Sequence, residues 1–344
     1  MARDLYAPAA GEVAYREVED PAVGEGQVRV EAEFGAVKHG TELSVFRGVS
    51  PFKGHTWEPD LGLFVPTDEP TWQTFPITIG NMVVGRVTEV GPGVEDIEVG
   101  DRVTRHSSLR DAAVWPAKGL RTLPEGMSWK AAVCLDPAEF ALAAVRDGHV
   151  RVGDDVAVFG LGAIGLFIVQ LVRLSGARLI IAFDPLPMRR ELAKGFGADR
   201  VLDPLACDAG LEVKRFLDKR GADVVLDTSG DYRALHHALR GVAFGGNVVA
   251  VAWPQECQGG LDLGREAHHN RPNLIFARAC SDPNRDHPRW DEGRLLETCW
   301  AWLADGTLDA EPIVQPVVPF AEAAEAWLAV ERDPSSSIKL GVAF

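Results

Sequence analysis

Cysteine is scarce in this chain of 344 residues, with five in all, Cys134, Cys207, Cys257, Cys280 and Cys299. They are odd in number and widely scattered, and no Cys-x-x-Cys pair occurs. A disulfide framework and a four-thiolate zinc site are thereby excluded. Basic residues are outnumbered: 35 Lys and Arg against 50 Asp and Glu give a formal net charge of −15. That balance repels phosphate backbones and anionic bilayers, so neither nucleic acid nor a membrane surface is expected as partner. No apolar run approaches the roughly 20 residues of a membrane span. The opening Met1-Ala2-Arg3-Asp4-Leu5-Tyr6 lacks the apolar stretch of a signal peptide, and a cytoplasmic location follows by default. What is present suits a soluble α/β protein: 46% apolar content, enough at this length to bury two cores.

The most specific signal lies at residues 155–184. A short apolar run ends in Gly160-Leu161-Gly162-Ala163-Ile164-Gly165, a helix-period segment follows through Val172, and a second apolar run closes on Asp184. Strand, glycine turn, helix, strand and acid in this order answer the needs of a dinucleotide. Gly160 permits the tight turn, Gly162 lets the backbone approach a pyrophosphate, and Gly165 lets helix and strand lie close. The first-turn N–H groups at Ala163 and Ile164 face the phosphates. Asp184 stands where a carboxylate accepts both ribose hydroxyls and repels a 2′-phosphate, which favours NAD. Arg189 or Arg190, bordering the adenine, keeps NADP open.

Around this unit the pattern changes twice. Residues 1–120 show short alternating strands, Met82–Val90 among them, with turns at 91–93 and 99–101, and read as a small partly open barrel. Helices over 129–133 and 137–147 lead into alternating β and α segments that complete about six parallel strands. Two amphipathic helices and a final strand then fold back toward the barrel. The expected domains are 1–150, 151–284 and 285–344, the last a return to the first.

This order, with several motifs, resembles the medium-chain dehydrogenase/reductase superfamily over essentially the whole chain. Lys38-His39-Gly40-Thr41-Glu42 is similar to its Cys-Gly-Thr/Ser-Asp motif, and Gly80-Asn81-Met82-Val83-Val84-Gly85 to its Gly-His-Glu-x-x-Gly. Val99-Gly100-Asp101-Arg102-Val103 resembles its recurrent turn. The resemblance implies a Rossmann doubly wound parallel sheet, a GroES-like partly open β-barrel catalytic domain, and a homo-oligomer, dimer or tetramer.

The departures carry as much information. At the positions that hold the catalytic metal in zinc alcohol dehydrogenases of this family stand His39, Asn81 and Asp136, and Met82 replaces the family's glutamate. Residues 105–121 contain no cysteine, so the structural-zinc lobe is missing. Zinc accepts imidazole and carboxylate, so His39 and Asp136 offer two ligands, but Asn81 is a poor third. A zinc-free site is the expectation. His39 is then the general acid/base, Thr41 its relay and Asp136 the group that orients it, while Glu42 pairs structurally with a basic residue.

Two further segments bear on substrate. The connection from Glu42 to Gly80 is longer than the family implies and carries His55, Trp57, Phe64 and Trp72; tryptophan beside polar groups suits a polyhydroxylated ligand. His268-His269-Asn270-Arg271, with residues 282–290, is rich in hydrogen-bonding groups, and His269 and Arg271 are expected near the nicotinamide. An extended backbone there would turn His268 and His269 to opposite faces. Ser229, after the strand ending at Asp227, is expected near the cofactor's ribose or nicotinamide. The expectation is an NAD(H)-dependent oxidoreductase acting on a secondary alcohol of sugar or polyol type. A zinc-independent quinone or enoyl reductase using NADPH, a zinc enzyme on His39 and Asp136, and a non-catalytic NAD-binding protein are the alternatives.

Overall fold

Strands form where valine and isoleucine cluster between glycine and proline stops, and helices where apolar residues recur three and four apart. The computed structural model describes residues 1–344 except 70–72, 219, 254–255 and 282. Trp72 and Asp282, both in the polar segments singled out above, thus lie outside the described residues. The chain divides into two units, Met1–Val133 with Val314–Phe344, and Cys134–Ile313. The boundaries differ from 150 and 284. The helix Leu135–Asp147 packs on the helix Ala163–Leu174, and Glu292–Ala304 packs on Leu135–Asp147, so both stay with the second unit. Only 314–344 returns to the first.

In the first unit, among the described residues, the main sheet runs Arg121–Thr122, Arg102–His106, Met82–Val90, Gln27–Ala36, Lys339–Ala343, Val314–Pro319, with Ala112–Pro116 also on Gln27–Ala36. The last strand enters antiparallel to Gln27–Ala36, with Gly341 opposite Ala36. This pairing brings the C-terminal residues beside Val37 and His39. Val28, Val83, Val103, Trp327, Leu340 and Val342 are among the side chains of one buried core, each such burial stabilising by about 1.5–3 kcal/mol. The long connection folds as an exposed hairpin, His55–Glu58 against Leu63–Pro66.

The second unit holds a six-stranded sheet among the described residues. Its order is Arg200–Leu202, Leu179–Phe183, Asp155–Phe159, Ala222–Asp227, Val242–Ala250, Asn273–Phe276, and every pairing is parallel. Numbered along the chain this is 3-2-1-4-5-6, the doubly wound arrangement whose ligands bind at strand C-termini. Strands buried on both faces explain the uninterrupted apolar runs that marked them in the sequence.

Candidate active site

The glycine turn sits at the C-terminal end of the first parallel strand, and its three glycines differ in what confines them. Gly160 has φ +83°, and a Cβ there would meet Ser229 N at 2.8 Å. Gly165 is pressed on Gly160, its Cβ position only 1.9 Å from the Gly160 carbonyl oxygen. Gly162 caps the helix Ala163–Leu174 and has open space beyond it. By helix geometry the N–H groups of the first turn, at Ala163 and Ile164, lack intrahelical acceptors.

Asp184 is buried at the end of the second strand. Its Oδ2 accepts from Leu161 N–H and its Oδ1 from Leu186 N–H, each at 2.8 Å. Arg189 Nη1 stands 3.7 Å from Oδ2, and Arg190 Nη1 donates to the Asp184 carbonyl at 2.7 Å. At the fourth strand's end, Ser229 Oγ donates to Asp227 Oδ1 at 2.6 Å and Ser229 N–H to the same oxygen at 2.9 Å. Thr228 Oγ1 donates to the Gly160 carbonyl at 2.8 Å, closing this loop onto the glycine turn. Burial pushes the Asp227 carboxyl up to about 6, although the Ser229 hydrogen bonds favour its ionised form.

The first unit carries a separate polar cluster. A helix not evident from the sequence, His39–Phe46, begins there, with Thr41 in its first turn. Glu42 Oε2 accepts from the Lys38 N–H at the helix entrance, and Oε1 accepts from Gly80 N–H at 2.6 Å. Burial raises the Glu42 carboxyl above its ordinary value, while the two N–H donors and the Lys339 charge oppose that rise. Where the sequence suggested pairing with a basic residue, Glu42 is held by two backbone donors as well as by lysine charge. Gly80 is required for this turn: its φ is +137°, and a Cβ would lie 2.4 Å from Leu109 N.

His39 Nε2 accepts from Leu340 N–H at 3.2 Å, which leaves the proton of the neutral ring on Nδ1. Asn81 is buried next to it in the chain fold, its N–H donating to the Ala36 carbonyl at 2.9 Å. Lys339, only 3% exposed, donates through Nζ to the Val37 carbonyl at 2.9 Å and to Asn81 Oδ1 at 3.3 Å. Nothing in the sequence singled out Lys339; a basic residue at the start of the last strand carries no local signal.

The other candidates lie on other elements. Asp136 is buried in the first turn of Leu135–Asp147, in the second unit. Trp57 is about half exposed on the hairpin, against Phe64. His268 and His269 are not on an extended segment but in the short helix Glu266–Asn270, and Arg271 follows in a left-handed turn. Arg271 immediately precedes the strand Asn273–Phe276, so it and His269 mark the N-terminal edge of a parallel sheet whose ligands bind at the opposite edge. Burial raises the Cys299 thiol to about 12 and also raises Cys207, which makes both poor nucleophiles.

A zinc ion does not fit the first unit's cluster. The His39 nitrogen Nε2 is engaged by a backbone N–H, Asn81 offers a carboxamide, and its oxygen already faces an ammonium that would repel a dication. Among the described residues no three His, Cys, Asp or Glu side chains come together as a metal-binding group.

A dinucleotide turn at a 3-2-1-4-5-6 sheet and an antiparallel unit bearing a His-Thr-Asn-Lys cluster define a dehydrogenase using a nicotinamide cofactor. Comparison with known proteins agrees. The family described as zinc-binding dehydrogenase matches residues 163–279, and that described as alcohol dehydrogenase GroES-like domain matches residues 24–125. The chain is 44% identical over 349 residues to D-guloside 3-dehydrogenase of Escherichia coli (strain K12), covering 99% of this chain and 100% of that one. It is 27% identical over 284 residues to (R,R)-butanediol dehydrogenase of Bacillus subtilis (strain 168), covering 74% and 76%. The crystal structure of 2R,3R-butanediol dehydrogenase from Bacillus subtilis shares the fold, with TM-score 0.79, 22% identity and full coverage of both chains. The chain belongs to the medium-chain dehydrogenase/reductase superfamily and is an alcohol/polyol dehydrogenase within it.

Proposed function

We propose that the protein oxidises a secondary ring alcohol of a glycoside or related polyol to the ketone, with NAD and without zinc. The observation that carries the metal-free reading is the Asn81–Lys339 pair, which puts a fixed positive charge where the family's ligand pattern would call for a metal. Asp184 supports NAD, since its carboxylate repels a 2′-phosphate. The full-length likeness to a D-guloside 3-dehydrogenase supports a hexoside as the substrate class. A quinone or enoyl reductase calls for an apolar pocket, whereas the first unit gathers Lys38, His39, Glu42, Asn81, His106 and Lys339.

Bound NAD supplies the hydride acceptor. The first-turn N–H groups at Ala163 and Ile164 would hold its pyrophosphate and Asp184 its adenosine ribose, and Ser229 would serve the ribose or nicotinamide. Thr41, which matches the family's relay hydroxyl, would pass the alcohol proton to His39. His39 takes that proton at Nε2 by giving up the Leu340 N–H, one neutral hydrogen bond worth about 1 kcal/mol. We further propose a homo-oligomer, because the edge strand Asn273–Phe276 exposes Leu274 and Phe276.

The test is initial-rate measurement on chelator-washed, untagged protein with glycosides and polyols, NAD against NADP, followed by ultraviolet absorbance of the reduced nicotinamide. Elemental analysis of the same sample by mass spectrometry completes it. NAD-dependent turnover with near-zero zinc is expected. About one zinc per chain, lost together with activity, overturns the metal-free reading.

A further inference from the structure

We propose that Lys339 is a positioning residue that locks the Asn81 carboxamide so that its N–H group is presented to the reacting substrate oxygen. This rests on the metal-free reading above and names the group that takes over the metal's electrostatic task.

Lysine is seldom buried, because removing an ammonium from water costs several kcal/mol unless it is well paired. Lys339 nonetheless reaches inward from the start of the terminal strand to two oxygens, the Val37 carbonyl at 2.9 Å and Asn81 Oδ1 at 3.3 Å. An ammonium only donates, so the carboxamide atom that faces it is the oxygen. The amide nitrogen is therefore turned the other way. There it meets His106 Nδ1 at 3.4 Å, but the same ring nitrogen lies 3.1 Å from the Asn81 carbonyl. That nitrogen has room for one donor at most, so it engages no more than one of the two amide hydrogens. Among the described residues, the second hydrogen of the Asn81 amide meets no acceptor, although Asn81 is only 8% exposed. A buried donor left this way costs about 1–3 kcal/mol. An anionic or carbonyl oxygen of the substrate satisfies it, and the ammonium on the far side of the carboxamide polarises the N–H toward that oxygen. Leu340, adjacent in sequence, donates to His39, so one strand end holds both the proton-handling ring and the donor.

The experiment measures kcat, KM, NAD affinity and thermal midpoint for Lys339→Met, Asn81→Leu, their double variant and Asn81→Asp. Lys339→Met and Asn81→Leu should each lower kcat on the order of 100-fold, as for loss of one oxyanion donor. KM and NAD affinity should change less than about threefold, within the reach of a lost weak contact. The double variant should be no slower than Asn81→Leu, because the lysine acts through the asparagine. Should Lys339→Met fail to fold, Asn81→Asp decides: it keeps a partner for Lys339 but removes the N–H donors, so kcat falls with the thermal midpoint retained. Unchanged kcat in Asn81→Asp, or multiplicative losses in the double variant, overturns the assignment. Zinc-dependent turnover of the unaltered protein overturns the metal-free reading and this assignment with it. Zinc-free turnover that tolerates these substitutions overturns this assignment alone.

Discussion

Gly165 lies so close to Gly160 that a Cβ on it would fall 1.9 Å from the Gly160 carbonyl oxygen, whereas a Cβ on Gly162 would meet nothing within 4 Å. The two glycines of one turn thus differ in what confines them: Gly165 is held by packing, and Gly162 faces open space, where the proposed cofactor would approach. Gly165→Ala should destabilise the second unit by about 1–3 kcal/mol or more, because backbone rather than a mobile side chain must yield. Gly162→Ala should leave the thermal midpoint nearly unchanged but weaken cofactor binding at least tenfold, about 1.4 kcal/mol. Thermal melts beside isothermal titration with NAD separate the two. Equal effects on melting in both variants would sink the distinction.

The proposed preference for NAD rests on Asp184. Its two oxygens are each held by a backbone N–H, so the carboxylate is preorganised, and Arg189 at 3.7 Å only partly offsets its charge. Removing the charge with Asp184→Asn should raise the ratio of kcat/KM for NADP over NAD at least tenfold, about 1.4 kcal/mol of transition-state preference. Steady-state kinetics with both cofactors on the same preparation test this. An unchanged ratio would mean that another group excludes the 2′-phosphate.

Burial pushes the Asp227 carboxyl up to about 6, from near 3.9 in an unfolded chain. Between about pH 4 and about pH 6 the folded protein keeps a proton that the unfolded chain has released. Stability therefore falls as pH rises through that window and levels off above it. The shift of roughly two units corresponds to about 3 kcal/mol. Asp227→Asn removes this dependence, so its stability relative to the unaltered protein should grow by about that amount from pH 4 to pH 6.5. Urea midpoints across the range are the measurement; a constant difference would show that the carboxyl does not titrate there.

Local chemistry explains which parts of the molecule were legible in the chain itself. Gly160, Gly162 and Gly165 act within one turn, and the strand Leu179–Phe183 is a continuous apolar run, so their spacing is their signature. The helix at His39–Phe46 left no trace, since it starts without a side-chain cap and is anchored by Glu42 reaching to Gly80, 38 residues away. The segment 266–270 is too short for a helical period to show, which made an extended reading natural. Lys339 and Asn81 are 258 residues apart, and only the return of the last strand to the first unit joins them.

The strand Asn273–Phe276 is an edge among the described residues, paired with Val242–Ala250 on one side only. Leu274 and Phe276 are two apart and so share a face; they are 42% and 56% exposed. An edge strand with apolar side chains is a template for a further strand, and an antiparallel second copy would pair its backbone and cover Leu274 and Phe276 at once. Light scattering coupled to size-exclusion chromatography should find an oligomer for the unaltered protein. Phe276→Lys should shift it to monomer, because an exposed edge lysine tolerates water but not a buried, like-charged neighbour across a two-fold axis. Far-ultraviolet circular dichroism of the variant should remain that of the unaltered protein. An oligomer that survives both Phe276→Lys and Leu274→Pro must be held by a different surface.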